Sequence, residues 1–207
     1  LLMWDKEREF KDITQNLKTV EAIPLRLLGK NNDLSKEIIV RGEVFMGKKE
    51  FEKFNRELAK KNEKIYANPR NIAAGSVRQL DPKITASRKL DSFAYVLATP
   101  LGQRTHEEEH LILKSLGFRV NPHNKFAKNL KEVQEFRDYW EKHREKLSYE
   151  IDGIVVTLND NRLFEKLGVV GKAPRYSVAF KYPAEKATTK VLNITVNVGR
   201  TGVLTPL

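Results

Sequence analysis

The chain contains no cysteine, which excludes disulfide frameworks and thiolate metal sites. It also lacks any apolar run approaching the length of a membrane span, and residues 1–25 are too charged to form a secretory signal. The expectation is a cytoplasmic protein with no membrane partner. Acidic residues are in deficit: 27 Asp and Glu stand against 38 Lys and Arg, a net charge of +11. That balance favours a polyanionic partner, nucleic acid first and an anionic membrane second, although a well-solvated lysine-rich surface gives the same count. No low-complexity tract interrupts the 207 residues, and a hydrophobic content of 40% suits a globular chain. The length accommodates one substantial domain, or one domain and part of a second. The chain starts at Leu1 without an initiator Met and stops at Thr205-Pro206-Leu207 inside strand-like sequence, so it reads as a fragment.

What is present is organised around two short apolar runs, Glu150 to Leu158 and Arg175 to Pro183. Both are bounded by Gly, Pro, Asn and charged residues, as buried strands are. Alternation puts Asp152 on the face of Ile154, Val156 and Leu158, where a carboxylate is costly unless a cation, a metal or donors satisfy it. In the second run Tyr176, Val178, Phe180 and Tyr182 share one face. Ser177, Ala179 and Lys181 share the other, so an amine stands among small neighbours with room for a ligand. An acid and an amine on neighbouring strands make either a core ion pair or two walls of a pocket, and alternation leaves both open.

Taken in order, residues 1–10 are expected to be helical, and Ile13, Leu17 and Val20 mark a helix from Asp12 to Ala22. Leu25 to Leu28 is expected as a short strand, and Gly29 to Ser35 as a turn. Glu37 to Met46 is a strong strand that puts Glu43 on the face of Ile39 and Phe45, with Gly42 marking a close approach. Glu43 either meets a ligand or pairs with Arg41 at a sheet edge. Gly47 to Lys60 is an amphipathic helix with Phe51, Phe54 and Leu58 inward. Asn68-Pro69 caps a helix running to Leu80, packed through Ile72, Ala73, Val77 and Leu80. Arg70 and Arg78 at its ends suit either bare surface charge or a phosphate contact. Leu90 to Leu97 is a strand with Phe93, Tyr95 and Leu97 on one side, and Tyr95 in isolation is a core aromatic with a wet hydroxyl. Thr105 and Glu108 form a capping box for a helix closed by Gly117. Asn129 caps a helix whose stripe is Leu130, Val133, Phe136, Trp140 and Leu147, and Arg144 near its end reads as exposed. Leu192, Ile194, Val196 and Val198 alternate with polar residues as a half-buried strand, ahead of the turn Gly199-Arg200-Thr201-Gly202. A boundary is expected at 186–190. His106 and His110 stand four apart but in a Glu-rich turn that reads as solvated surface, so no metal is assigned to protein ligands.

Several blocks, in one order, resemble the adenylation domain of bacterial NAD-dependent DNA ligases from Asp12 onward. They are Val40 to Met46 (VRGEVFM), Ala67 to Asn71 (ANPRN), Ala73 to Pro82 (AAGSVRQLDP), Ile151-Asp152-Gly153, Ala179 to Ala184 (AFKYPA) and Val198 to Gly202 (VGRTG). The resemblance implies an α+β covalent nucleotidyltransferase fold of the DNA ligase and mRNA-capping kind. Its antiparallel sheets would occupy residues 1–188, incomplete at the N-terminus, with 189–207 as the first strand of an OB-fold barrel. It also implies a lysine that attacks the α-phosphate of NAD, transfer of AMP to the 5′-phosphate of a DNA nick, and sealing by the 3′-hydroxyl. Carried over residue by residue, Glu43 would bind the ribose hydroxyls and Tyr95 would stack on adenine. Lys181 would contact the adenylate phosphate, and Asp152 would sit at the reacting centre beside it. Arg70, Arg78 and Arg144 would meet the 5′-phosphate or the DNA backbone. Mg is expected from the resemblance, and the family's Zn lies outside this chain. Nicked double-stranded DNA is the implied partner of a monomer.

Two departures from the family pattern stand out. The family nucleophile lies in a Lys-x-Asp-Gly motif, whereas the one Asp-Gly here, Asp152-Gly153, has Glu150 at the lysine position. As it stands the chain is not expected to adenylate itself. Thr157 also occupies a position where the family often has a second phosphate-contacting lysine, which leaves that burden to Lys181. A non-catalytic basic module that grips DNA on the same scaffold is therefore the rival reading, and an ATP-using ligase or capping enzyme is a third.

Overall fold

A computed structural model describes residues 2–4, 10–28, 37–171, 173–184 and 188–206. The first described strands are β1 (Leu2–Trp4) and β2 (Phe10–Asp12), an antiparallel ribbon with Met3 opposite Lys11. Strands thus replace the helix expected over residues 1–10. Leu2 and Trp4 are two residues apart, the period of a strand and not of a helix. The next helix shortens to one turn, α1 (Thr14–Leu17). The Thr19 hydroxyl donates to the Asn16 carbonyl at 2.7 Å, competing for a group that a longer helix would use. Ile13, Leu17 and Val20 are nonetheless buried, as their spacing predicted. Leu25 to Leu28 forms no strand. Its Leu28 N–H bonds instead to the Leu116 carbonyl at 3.0 Å. The turn expected at 29–35 lies outside the described residues.

Next come β3 (Val40–Phe45) and α2 (Lys48–Lys60), followed by two short helices, α3 (Pro69–Ser76) and α4 (Pro82–Ser87). The Asn68 side chain accepts from the Asn71 N–H at 2.9 Å, the cap that Asn-Pro predicted. Asp81-Pro82 repeats the same signature, with Asp81 accepting from the Lys83 N–H at 2.9 Å. That second cap is why the helix expected to reach Leu80 ends at Ser76 and a new one begins. Leu80, expected in the core, lies fully in solvent between them.

The chain then builds β4 (Asp91–Leu97), α5 (His106–Ser115), α6 (Leu130–His143), β5 (Gly153–Thr157) and α7 (Arg162–Leu167). The strands β6 (Val169–Val170), β7 (Ala173–Pro174), β8 (Ser177–Lys181), β9 (Val196–Val198) and β10 (Leu204–Pro206) follow. All pairing is antiparallel, in the ribbons β1–β2, β3–β4, β5–β8, β6–β7 and β9–β10. The α+β reading with antiparallel sheets holds. Both caps of the middle helices also hold, with a complete Thr105/Glu108 capping box on α5 and Asn129 accepting from the Glu132 N–H on α6.

Two apolar clusters underlie β3–β4. Ile13, Leu17, Val20, Met46, Ile72, Ala73, Val77 and Leu90 form one, with Phe51 and Phe54 of α2 against it. Ala94, Leu97, Leu113 and Val120 form the other, joined by Val40. The stripe expected along α6 is not buried: Leu130 is 82% exposed, and of the five residues named only Leu147, beyond the helix end, is enclosed. Leu192, Ile194, Val196 and Val198 are exposed too, and among the described residues β9 pairs with β10 alone, around Gly199–Gly202.

Beneath α1, α3 and α4 sits a buried polar knot. The Thr85 hydroxyl donates to the Ser76 carbonyl at 2.8 Å and accepts from the Asn16 amide at 2.9 Å, which also donates to the Gln79 carbonyl at 2.7 Å. Thr85→Val keeps the volume but strands two buried partners, which costs about 1–3 kcal/mol. The expected result is a lower urea midpoint at unchanged slope, and an unchanged midpoint would remove the knot from the list of stabilising features.

Candidate active site

The register of β3–β4 slips by one residue. Arg41 faces Val96 but Gly42 faces Ala94, leaving Tyr95 without a partner across the ribbon. Such a bulge re-aims the side chains that follow it. Residues directly opposite share a face, so Val40, Gly42, Ala94 and Leu97 face the core while Arg41, Glu43, Phe45 and Phe93 face outward. Leu97, expected beside Tyr95, is returned to the core by the slip. Tyr95, expected in the core when read alone, is 46% exposed. Gly42 is required by close approach, since a Cβ there would lie 2.8 Å from the Phe93 carbonyl.

Glu43 is exposed, contrary to the apolar surroundings read from alternation. Its charge acts on Tyr95, whose phenol is pushed above its ordinary range first by burial and then by that carboxylate. Phe45, Phe93 and Tyr149 form an aromatic floor beside this pair, with ring centroids 5.0–5.4 Å apart.

Tyr149 leads in three residues to the second group. Register places Gly153 opposite Lys181, Val155 opposite Ala179 and Thr157 opposite Ser177. Those six residues share one face, open to solvent, on which Lys181 has small neighbours as predicted. Asp152 stands just ahead of β5, in a bend that frees it from the alternation. Its carboxylate meets the Lys181 ammonium at 2.6 Å. The pair is neither a core ion pair nor among aliphatics, because both side chains are more than 60% exposed. The Lys181 hydrogen bond holds the Asp152 carboxyl below its ordinary range, and Arg70 adds a smaller push in the same direction. A Cβ at Gly153 would come within 2.6 Å of the Phe180 carbonyl, so the close β5–β8 contact that carries the pair requires glycine.

The structure therefore brings Asp152 to Lys181, Arg70 within electrostatic reach of Asp152, and Arg144 5.9 Å from the Tyr182 ring. It brings Glu43 to Tyr95 as a separate group. Thr157 lies at the far end of β5 from Lys181, its hydroxyl 3.1 Å from that of Ser177. Arg78 lies beyond the end of α3, exposed. A cleft of about 270 Å³ lies between Asn129-capped α6 and the segment before β5, lined by His123, Trp140, His143 and Tyr149 among others, and it includes none of Glu43, Tyr95, Asp152 or Lys181. Among the described residues no His, Asp and Glu group is arranged to hold a metal ion.

Two residues escaped the sequence reading. Arg137, only 11% exposed, ion-pairs with Asp138 and Glu141, donates to the Lys181 carbonyl at 3.3 Å, and lies over Phe180 at 4.8 Å. Its Glu141 partner at i+4 is a visible helix signal, yet nothing local points to β8. The second is His110, read as solvated surface, whose Nε2 lies 3.3 Å from the Tyr95 carbonyl.

These helices and antiparallel ribbons make an α+β domain. The family model described as NAD-dependent DNA ligase adenylation domain matches residues 8–185, and the chain belongs to that family. It is 48% identical over 199 residues to a DNA ligase of Natranaerobius thermophilus, covering 95% of this chain and 29% of the relative. A DNA ligase of Caldicellulosiruptor bescii is 51% identical over 197 residues, 95% of this chain and 28% of the relative. One from Bacillus cytotoxicus is 47% identical over 198 residues, 95% and 29%. The chain thus spans less than a third of the length of these relatives. Among the described residues no helix is long and apolar enough to cross a membrane.

Because the Asp152 carboxyl is held low, its stabilising share is complete above the unfolded aspartate value of about 3.9 and is lost as pH falls through the lower folded value. Lys181→Ala should return the Asp152 titration midpoint toward that unfolded value. Carboxyl-carbon NMR through an acid titration measures it, and an unmoved midpoint would dissolve the assigned pairing.

Proposed function

We propose that the chain is the AMP-binding part of an NAD-dependent DNA ligase, acting at nicks in double-stranded DNA through a lysyl-AMP intermediate. The observation that carries this reading is the exposed Asp152–Lys181 pair at 2.6 Å, within a chain of that family. Lys181 is the one cation on its face of β5–β8, and an ammonium held by a carboxylate in open solvent can be handed to a phosphate without first leaving a buried site. Opposing a phosphate, it would neutralise charge that develops during phosphoryl transfer. Tyr95 offers a half-exposed ring for adenine, and Glu43 beside it offers carboxylate oxygens to ribose hydroxyls.

In this reading a lysine not supplied by the Asp152-Gly153 motif attacks the α-phosphate of NAD, and nicotinamide mononucleotide leaves. AMP then passes to the 5′-phosphate, and the 3′-hydroxyl displaces it. Asp152 suits Mg, which takes one or two carboxylates and completes its shell with phosphate and water. Bound there, Mg would neutralise phosphate charge. Arg70 and Arg144 flank the Asp152–Lys181 end and suit the 5′-phosphate, while Arg78 suits the DNA backbone farther off. Residues 1–188 would form the adenylation domain, and the exposed apolar residues of β9–β10 suit the first strands of an OB-fold. The setting would be a cytoplasmic monomer.

Thr157, engaged with Ser177 in place of a second lysine, favours the rival reading of a DNA-gripping module without catalysis. Mass spectrometry of the full-length protein after mixing with NAD separates the two, because an added AMP supports the enzyme and its absence supports the module. Lys181→Ala should lower nick sealing by roughly a hundredfold, on the order of 3 kcal/mol as for the loss of one donor at a developing charge. Sealing at the wild-type rate would refute the role of Lys181. Arg78→Ala should weaken nick binding equally across sequences, since phosphate contacts carry no base readout. Base-dependent loss in a binding titration would contradict it.

A further inference from the structure

Behind the bulge that exposes Tyr95, α5 presents an imidazole to the same residue. His110 Nε2 lies 3.3 Å from the Tyr95 carbonyl, and its Nδ1 lies 3.3 Å from the Asn124 side-chain amide nitrogen. A carbonyl only accepts and an amide nitrogen only donates, so Nε2 carries the proton and Nδ1 offers its lone pair. The neutral ring satisfies both neighbours, whereas an imidazolium would set one N–H against another.

The ring is anchored from the interior. His106 packs against it with centroids 4.4 Å apart, and the His106 Nδ1 lies 3.2 Å from the Glu109 carboxylate. Glu109 is 3% exposed, accepts from the Asn161 amide at 2.7 Å, and stands 3.5 Å from the Leu97 N–H. A buried carboxylate thus ties the last residue of β4 and the loop after β5 to the helix that carries His110. A buried carboxyl is costly without such partners.

We propose that His110 is a positioning residue for the nucleotide: as a neutral Nε2–H imidazole it pins the Tyr95 carbonyl inside the bulge and so sets the angle of the Tyr95 ring. The bulge needs such a brace because Tyr95 has no partner on β3, and an unpaired residue in a ribbon is free to rotate unless its backbone groups are held. The inference rests on the reading of Tyr95 as the adenine-stacking residue. Burial, then the neighbouring His106, hold the His110 imidazole below its ordinary range, with the bond to the Tyr95 carbonyl and then Glu109 opposing and Lys114 adding to the shift. From β4 and the Asn124 segment it faces the neutral Tyr95 carbonyl and the Asn124 amide. Glu43 and Arg41 bear on the Tyr95 phenol itself. The Nε2–H donates to the Tyr95 carbonyl in either protonation state, so the brace itself persists on acidification, which sets only Nδ1 against the Asn124 amide.

The test is a calorimetric titration of AMP into the protein between pH 5 and pH 8. His110→Gln, which keeps an N–H donor, should bind within about twofold of wild type at every pH. His110→Leu, which fills the space without donating, should bind about tenfold more weakly at every pH. Tyr95→Ala in parallel separates the two layers of inference. If it binds AMP as wild type does, the adenine role falls and the brace with it. If it weakens AMP but His110→Leu does not, the brace alone falls. Equal weakening by Leu and Gln also overturns the brace, since only Gln keeps the N–H donor that the brace requires. The ¹⁹F resonance of fluorotyrosine at position 95, recorded without ligand, covers variants whose affinity is lost to misfolding elsewhere. It should shift in His110→Leu and stay in His110→Gln, and an unchanged line in both overturns the inference.

Discussion

A slip of one residue between Arg41-Gly42 and Tyr95 governs which side chains of the β3–β4 ribbon meet the core and which meet solvent. Without it, β4 would alternate cleanly, and Tyr95 would share a side with Phe93 and Leu97. Leu97 would then be pulled from the cluster it makes with Ala94, Leu113 and Val120. With it, the ribbon buries Leu97 and still leaves a large aromatic in solvent. The slip is compatible with the fold because Gly42 lets the two backbones close, the Phe93 carbonyl lying where a Cβ would intrude. A single glycine thus permits both a complete core and an open aromatic ring.

The second group depends on the same kind of contact. Gly153 sits against the backbone of Phe180 and Lys181, so β5 and β8 approach closely just where Asp152 leaves the strand. That closeness, and not a shared face, is what lets a carboxylate ahead of β5 reach an amine at the end of β8. Arg137 then fixes the amine from below, bonding to the Lys181 carbonyl and stacking on Phe180 and Tyr182. Its charge is balanced by Asp138 and Glu141 on its own helix, so it holds β8 without adding uncompensated charge next to Lys181.

Much of this was legible in the sequence. The Asn68-Pro69 cap, the Thr105/Glu108 box, Gly117 at a helix end and the inward face of α2 all followed from local rules, because each involves residues within four positions of one another. The grouping of Ser177, Ala179 and Lys181 followed from the period of two. What was not legible depends on distant partners. The bulge is invisible to alternation, since it exists only when β3 is laid beside β4, and so Leu97 was grouped with Phe93 and Tyr95 although it returns to the core. Glu43 and Asp152 were placed among aliphatics for the same reason: a strand's pattern tells which residues share a face, not which face is covered. The apolar stripes on α6 and before β9 show the converse, apolar periodicity that is only half covered on α6 and left exposed before β9.

The exposure of both charged groups bears on how the domain can act. A buried Asp152–Lys181 pair would be a fixed strut, because separating it would strand a charge in a medium where that costs several kcal/mol. Exposed, the pair is held by little more than its geometry, and pairs of this kind are worth about 0–1 kcal/mol. A dianionic phosphate can then draw the ammonium away from the carboxylate with little loss, and the released Asp152 becomes available to a cation. The Glu43–Tyr95 group is built the opposite way. His110 of α5 lies against the Tyr95 carbonyl, and Phe45, Phe93 and Tyr149 interlock, so that the aromatic group is stiff while the charge pair is loose. Under the proposed function, a rigid base platform together with a pliable charge pair is the division of labour that successive changes at a nucleotide's phosphate would favour.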